Sequence, residues 1–282
     1  MSPASTIARG APFPSRAETT LLVFTLGARV DGRRKRLLPA ALRDRETALY
    51  RACLEEALAA GRGAGCRLEV CSPAGIDLPA DAATVHQRGD GFGDRFAHAF
   101  DTALRRTGGP VVAVGTDTPG LERAHVERAL AVLAGAAGGA PPGADGARGR
   151  VVIGPSPDGG LYLLASSRPL GDLLRRVRWC RRTTLHQLRR LLRQAGFAIT
   201  LIEPLADLDR RSDLERWLAH RGPRPATRPD GGPHRPTDRA ARAITDALAA
   251  RRRPAVPLAV NRPATVAAPV CRGRAPPLLL AA

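Results

Sequence analysis

Short apolar runs and amphipathic stretches alternate along the middle of this chain. Leu21–Leu26 reads LLVFTL, a continuous apolar run with the length of a buried strand. Arg45–Ala60 then places Leu49, Cys53, Leu54, Ala57 and Leu58 at helical spacing. Arg67–Cys71 and Thr84–Gln87 read as strands. Phe92–Arg106 sets Phe92, Phe96, Ala99, Phe100 and Ala103 on one helical face. Val111–Gly115 (VVAVG) is again a strand, followed by a helix over Leu121–Leu133. The Gly/Ala/Pro-rich stretch Gly135–Gly149 predicts a loop. Val151–Gly154 and Leu161–Ala165 read as strands around a Pro/Gly turn. Thr183–Gln194 is then a helix, Ala198–Ile202 a strand, and Arg211–Ala219 a closing helix. This alternation implies an α/β fold, a mostly parallel sheet with helices on both faces. Ligands of such sheets bind beyond the carboxyl ends of the strands. The residues after VVAVG and after VVIG are therefore the first to inspect.

The two ends of the chain differ from its middle. Residues 1–19 are Pro/Ser/Ala-rich without periodicity, which predicts a disordered N-terminus. From 220 to 282 Pro and Arg recur, which predicts a disordered basic C-terminal tail of low complexity, with a short helix at Arg239–Arg252. The folded domain is then 20–219, with both ends dispensable. Net charge is +18, but residues 221–282 hold 12 Arg against 3 Asp, so half of the excess sits in the tail. That distribution predicts weak, non-specific polyanion affinity through the tail rather than a nucleic-acid-binding domain. Aromatic residues at 4% argue against the stacking platforms of single-strand binders. No apolar stretch reaches the roughly 20 residues that span a bilayer. The first residues lack the apolar segment of a secretory signal, and the five cysteines are scattered without metal-ligand spacing. A cytoplasmic protein with reduced thiols is expected.

Five segments carry candidate chemistry. Asp117, in Gly115–Leu121 (GTDTPGL), directly follows a buried strand; it can hold a hard cation, or it can cap the next helix. Asp158, in Gly154–Tyr162 (GPSPDGGLY), can join Asp117 across a cleft, and Gly159–Gly160 allow close approach of a ligand; the same residues make an ordinary hairpin turn. Lys35, the only lysine, and Arg36 stand in GRRKR after the first strand, a basic loop placed to clamp a phosphate or a solvated charge run. Arg95 lies in the glycine-rich lead-in Gly89–Phe96, where a helix start can receive an anion. In Leu205–Leu214 (LADLDRRSDL), Asp209 reads as a helix N-cap, with Asp213 in the first turn.

Taken in order, these segments resemble a GT-A-like transferase family encoded near radical-SAM and selenodomain proteins, labelled in places an arsenosugar-biosynthesis glycosyltransferase. GTDTPGL and GPSPDGGLYLLA are the strongest matches. GDGFGDRFAHAFDTAL at Gly89–Leu104 resembles the family's Gly-x-Leu-Gly-x-Arg helix start, and LADLDRRSDL its closing Asp-Val-Asp-Thr-Pro-x-Asp-Leu segment. The likeness runs over about 20–218 and implies the nucleotide-diphospho-sugar transferase fold. By it Asp117 takes the position of the metal-binding aspartate and Asp158 the second acidic position, as ligand of Mg²⁺ or Mn²⁺ or as base on an acceptor hydroxyl. Lys35, Arg36, Arg95, Gly159 and Gly160 fall at the nucleotide and its phosphates. The implied activity is transfer from a nucleotide-sugar donor to a small-molecule acceptor. A nucleotidyltransferase of the same fold, or a degenerate member that only binds a ligand or partner, are the alternatives. The opening motif departs from the family: FTLGARVDGRRKRLLP keeps Phe24, Gly32, Lys35 and a basic neighbour but lacks the first Lys, both Pro and the Thr. Trp179–Thr183 (WCRRT) likewise lacks the family's Pro.

Overall fold

The computed structural model describes residues 18–73, 76, 78–135, 148–220 and 235–252. Seven strands form one sheet there: β1 (Thr20–Phe24), β2 (Arg67–Ser72), β3 (Ala82–His86), β4 (Val111–Val114), β5 (Gly149–Pro155), β6 (Leu161–Ser166) and β7 (Phe197–Leu201). Their order across the sheet is β3-β2-β1-β4-β6-β5-β7. β6 is antiparallel to both neighbours, and every other pair is parallel. Central strands of such a sheet are covered on both sides, so their sequence is apolar throughout. Leu21, Leu22 and Val23 of β1 are accordingly all fully buried.

Eight α-helices accompany the sheet among the described residues: α1 (Ala28–Lys35), α2 (Arg43–Gly63), α3 (Gly91–Thr107), α4 (Arg123–Leu133), α5 (Gly171–Arg175), α6 (Thr184–Gln194), α7 (Arg211–His220) and α8 (Pro236–Arg252). Side chains of a strand alternate between faces. Leu21 and Val23 therefore pack with Leu54 and Leu58 of α2 and Val126 and Leu130 of α4. Leu22 packs on the other face with Phe96 and Phe100 of α3, Leu174 of α5 and Leu188 of α6. Complete burial of a side chain such as Phe100 contributes about 1.5–3 kcal/mol. A third cluster of Leu37, Leu49, Tyr50, Leu208, Leu214 and Ile244 binds the exit of α1 to α2, α7 and α8.

Three features depart from the sequence pattern. Following one another among the apolar runs, the strands leading to Asp117 and Asp158 are expected side by side in the sheet, yet β6 lies between them. Because β4 and β5 both run against β6, their carboxyl ends still reach the same edge of the sheet. The basic stretch after β1 is not a loop: Gly32 to Lys35 form the end of helix α1. Gly32 is the one buried residue of that helix, and a Cβ there would lie 3.3 Å from Thr47 Oγ1 of α2. Glycine thus lets two helices lie close together where an apolar stripe is missing. Third, α8 lies past 219 and packs along α2. The disorder expected over 1–19 and in the tail, and the Gly135–Gly149 loop, fall largely outside the described residues. Among the described residues no helix is long and apolar enough to cross a membrane.

Candidate active site

The exits of β1, β4, β5 and β7 line a cleft of about 1010 Å³. Thr25, just past β1, brings Oγ1 within 2.9 Å of Thr116 Oγ1, just past β4. The same Thr25 oxygen accepts the Gly27 N–H at 2.9 Å, which sets the start of α1. The other end of α1 is fixed by Glu46 of α2. This fully buried carboxylate accepts the N–H groups of Leu37 and Leu38 at 2.8 and 3.2 Å. Between these two anchors, Lys35 is delivered into the cleft.

The Lys35 ammonium donates to Asp117 Oδ2 at 2.6 Å and also to the Asp209 carboxylate. Its charge stands 5.7 Å from the centre of the Tyr50 ring. Tyr50 in turn donates its hydroxyl to the Leu208 carbonyl at 2.9 Å, and Leu208 donates its N–H to the Asp117 carbonyl at 2.8 Å. The segment holding Asp207 and Asp209 is thus stitched to both α2 and the exit of β4. Asp158, Asp207 and Asp209 each bring a carboxylate oxygen to one place, all within 4.8 Å of one another.

Crowded carboxylates raise one another's affinity for protons. Burial, followed by the charges of Asp117, Asp158 and Asp209, pushes the Asp207 carboxyl up to about 7. Burial also raises Asp31, with Lys35 opposing and Asp117 adding to the rise. For Lys35 burial works against the charge, but Asp117 and Asp209 outweigh it and hold the ammonium above the usual lysine value. An all-oxygen donor set of three carboxylates suits a hard divalent cation such as Mg²⁺ or Mn²⁺.

Of the residues singled out in the sequence, Lys35, Arg95, Asp117, Asp158 and Gly160 line this one cleft. Arg36 and Gly159 are not among its lining residues. Arg36 is exposed, with a left-handed φ of 52° that ends α1. Gly159 has a φ of +95°, and a Cβ on it would come within 2.0 Å of the Arg182 carbonyl oxygen. It makes room for the backbone at Arg182. Asp117 is no helix cap, because α4 begins only at Arg123, after Glu122, whose N–H is accepted by His125 Nδ1 at 3.0 Å. Asp158 does serve its turn, accepting the Gly160 N–H at 2.8 Å, while remaining on the cleft. Asp209 does not cap α7: its side chain reaches Lys35, and Asp213 accepts the Arg210 N–H at 2.7 Å.

Two features escaped the sequence reading. Asp207 lies in a segment whose acids looked like helix-start residues; an Asp-x-Asp pair just past the last strand was the available signal. The second is an aromatic wall. Phe24, Phe92, Phe96 and Trp179 line the cleft, with ring centroids 5.3 Å apart for Phe24–Phe92 and 5.1 Å for Phe92–Trp179. Aromatic residues are scarce in the chain, yet four of them gather here. Arg95, beside Phe96, also lines the cleft, and its buried Nε lacks a hydrogen-bond partner.

Residues 47–181 match the model of a family described as an uncharacterized protein conserved in bacteria, DUF2064. No curated protein matches the chain. Among solved structures the chain is similar to a candidate nucleotide-diphospho-sugar transferase from Desulfovibrio desulfuricans G20. That likeness has a TM-score of 0.64 and 22% identity, over 83% of this chain and 98% of the other. It is also similar to Rv0371C of Mycobacterium tuberculosis H37Rv in complex with manganese, with a TM-score of 0.41 and 18% identity over 72% of this chain and 98% of that one. A third similarity is to CMP:2-keto-3-deoxy-manno-octonic acid synthetase complexed with CTP, with a TM-score of 0.39 and 12% identity over 72% and 98% of the two chains. The first of these likenesses establishes the fold as that of the nucleotide-diphospho-sugar transferases.

Proposed function

We propose that this chain is a cytoplasmic GT-A-type glycosyltransferase that uses a nucleotide-sugar donor with Mg²⁺ or Mn²⁺, of the kind implied by its resemblance to the arsenosugar-type family. One observation carries the reading. Aspartates from the exits of three strands and a single lysine converge at the ligand edge of a nucleotide-diphospho-sugar transferase fold. Asp207 and Asp209, with Asp158, hold the cation, and Asp117 completes the acidic floor. When bound, the cation supplies positive charge against the leaving diphosphate. Lys35, Arg34 and Arg95 receive the donor phosphates from the protein side. As the alternative to its ligand role, Asp158, on an exposed turn reachable by an acceptor, takes the acceptor's hydroxyl proton. The Phe92–Trp179 wall offers a flat apolar surface to a ring of the donor or acceptor.

A thermal-shift screen of nucleotides and nucleotide sugars, each with and without Mn²⁺, tests this. A ligand at 100 times its Kd should stabilise by about 2.7 kcal/mol. The reading requires Mn²⁺-dependent stabilisation by a nucleotide sugar and release of the nucleoside diphosphate on turnover. Release of pyrophosphate from a nucleoside triphosphate would assign a nucleotidyltransferase instead. Absence of any nucleotide effect would leave only a non-catalytic binding role.

A further inference from the structure

We infer that Lys35 is the cleft's own counter-ion: it holds the affinity for a divalent cation low until a phosphate-bearing ligand draws its ammonium away, which couples cation and donor binding. The inference rests on the cation site proposed above. Asp209 belongs at once to the group of three carboxylates and to the ion pair with Lys35. Lys35 also holds Asp117, so one ammonium bridges both sides of the acidic floor. Among the described residues, Asp117 and Asp209 form ion pairs with Lys35 and with no other cation, and Asp158 and Asp207 form none. A cation that takes Asp209 must displace this ammonium or sit beside it, and two positive charges at such a distance repel strongly in a half-buried site.

The residue type fits an exchange. Of the 44 basic residues in the chain, 43 are arginine, and the single lysine stands where a cation touches two cleft carboxylates. Arginine presents a planar fork that grips carboxylates, whereas lysine carries a compact charge on a flexible stem. Its side chain is 19% exposed, so it has an open side toward the cleft. Donor phosphates entering there offer the ammonium an alternative partner. The carboxylates of Asp117 and Asp209 are then released to the cation. Linkage makes the effect reciprocal: whatever factor the donor adds to cation affinity, the cation adds to donor affinity.

The test measures Mn²⁺ alone, by the electron paramagnetic resonance of free Mn²⁺, on the full chain of wild type, K35M and K35R. With no phosphate present, K35M should bind Mn²⁺ about tenfold tighter or more, the scale of one charge-assisted contact removed from competition. K35R, which keeps the charge, should bind no tighter than wild type. Thermal melting confirms folding, and K35Q carries the same test should K35M not fold. If wild type binds Mn²⁺ and the neutral variants bind it no tighter, the inference is overturned and the cation site stands. If none of the proteins binds Mn²⁺, the cation site itself fails, and the inference with it.

Discussion

Two charge sites in this molecule, one buried and one open to the cleft, are built on opposite plans. At one, Glu56 of α2 is 4% exposed and faces the start of α8. Arg235 donates to its Oε2 at 2.7 Å through Nη2 and to its Oε1 at 3.1 Å through Nε. Thr237 adds its N–H at 3.2 Å and its hydroxyl at 2.6 Å. Both oxygens of Glu56 are satisfied, and the same guanidinium also pairs with Glu122 at the site's exposed edge. In the cleft, one ammonium pairs with two carboxylates, Asp117 and Asp209, while Asp158 and Asp207 stand beside them, and Asp158 and Asp209 are exposed. The closed site holds chain segments together and leaves nothing for a ligand to do. The open one carries a surplus of negative charge in a partly desolvated place, which a cation relieves.

Breaking the closed site should have the largest effect. Arg235→Ala leaves Glu56 buried and unpaired, and urea unfolding should show a loss of about 3–5 kcal/mol. A chain cut after 220 should lose at least as much, since the fully buried Ile244 of α8 goes too. A loss under about 1 kcal/mol would make the clamp no better than a surface pair and dissolve the contrast.

In the open site the same kind of change should act on function and spare the fold. Asp209→Asn should lower turnover by about 10²-fold or more, the scale of one lost electrostatic contact in a preorganised site. Its melting temperature should hold or rise, because like charges are thinned. Asp117→Asn should weaken the metal dependence of donor binding in calorimetric titration. A melting temperature that falls as far as in Arg235→Ala would mean that the cleft carboxylates are structural.

A smaller effect sharpens the comparison through pH. Asp207 keeps its proton up to about pH 7 in the folded chain, against an ordinary value of 3.8. The folded state therefore binds more protons than the unfolded one between these values, and stability falls as pH rises through that window. With EDTA present, wild type should lose stability from about pH 4 to about pH 7, and Asp207→Asn should flatten the curve. Least of all should come from Arg36→Ala. Outside the cleft, it should change donor affinity and stability by no more than about 0.5 kcal/mol. Lys35→Ala should weaken donor binding clearly.

What was legible in the sequence follows the same division. The central strands announced themselves because sheets covered on both faces need uninterrupted apolar runs such as VVAV. Helix α3 was visible through Phe92, Phe96 and Phe100 on one face. Helix α1 was not, since it buries only a glycine and its other residues carry no apolar period. Glu46 and Glu56 sit inside α2 as interior carboxylates that any polarity pattern assigns to the solvent side. In the site, Asp117 and Asp158 stood out by following strands. Asp207 did not, because its distinction comes from neighbours far away in the chain. Likewise only the insertion of β6 decides which strand exits face one another, and turn residues do not encode strand order.

The backbone bond from Leu208 to the Asp117 carbonyl, and the Lys35–Asp209 contact across 174 positions, bear on how the protein acquires its binding power. Such distant contacts form late, after the entropy of closing long loops has been overcome. β7, which leads to Asp207 and Asp209, is an edge strand paired with β5 alone among the described residues. A growing polypeptide therefore has its first strands and Lys35 long before it completes the carboxylate group proposed to hold a cation. If the proposed site takes a cation, its uptake is a clock for maturation: refolding followed by bound Mn²⁺ should lag behind refolding followed by the burial of Phe100, by the time β7 takes to dock.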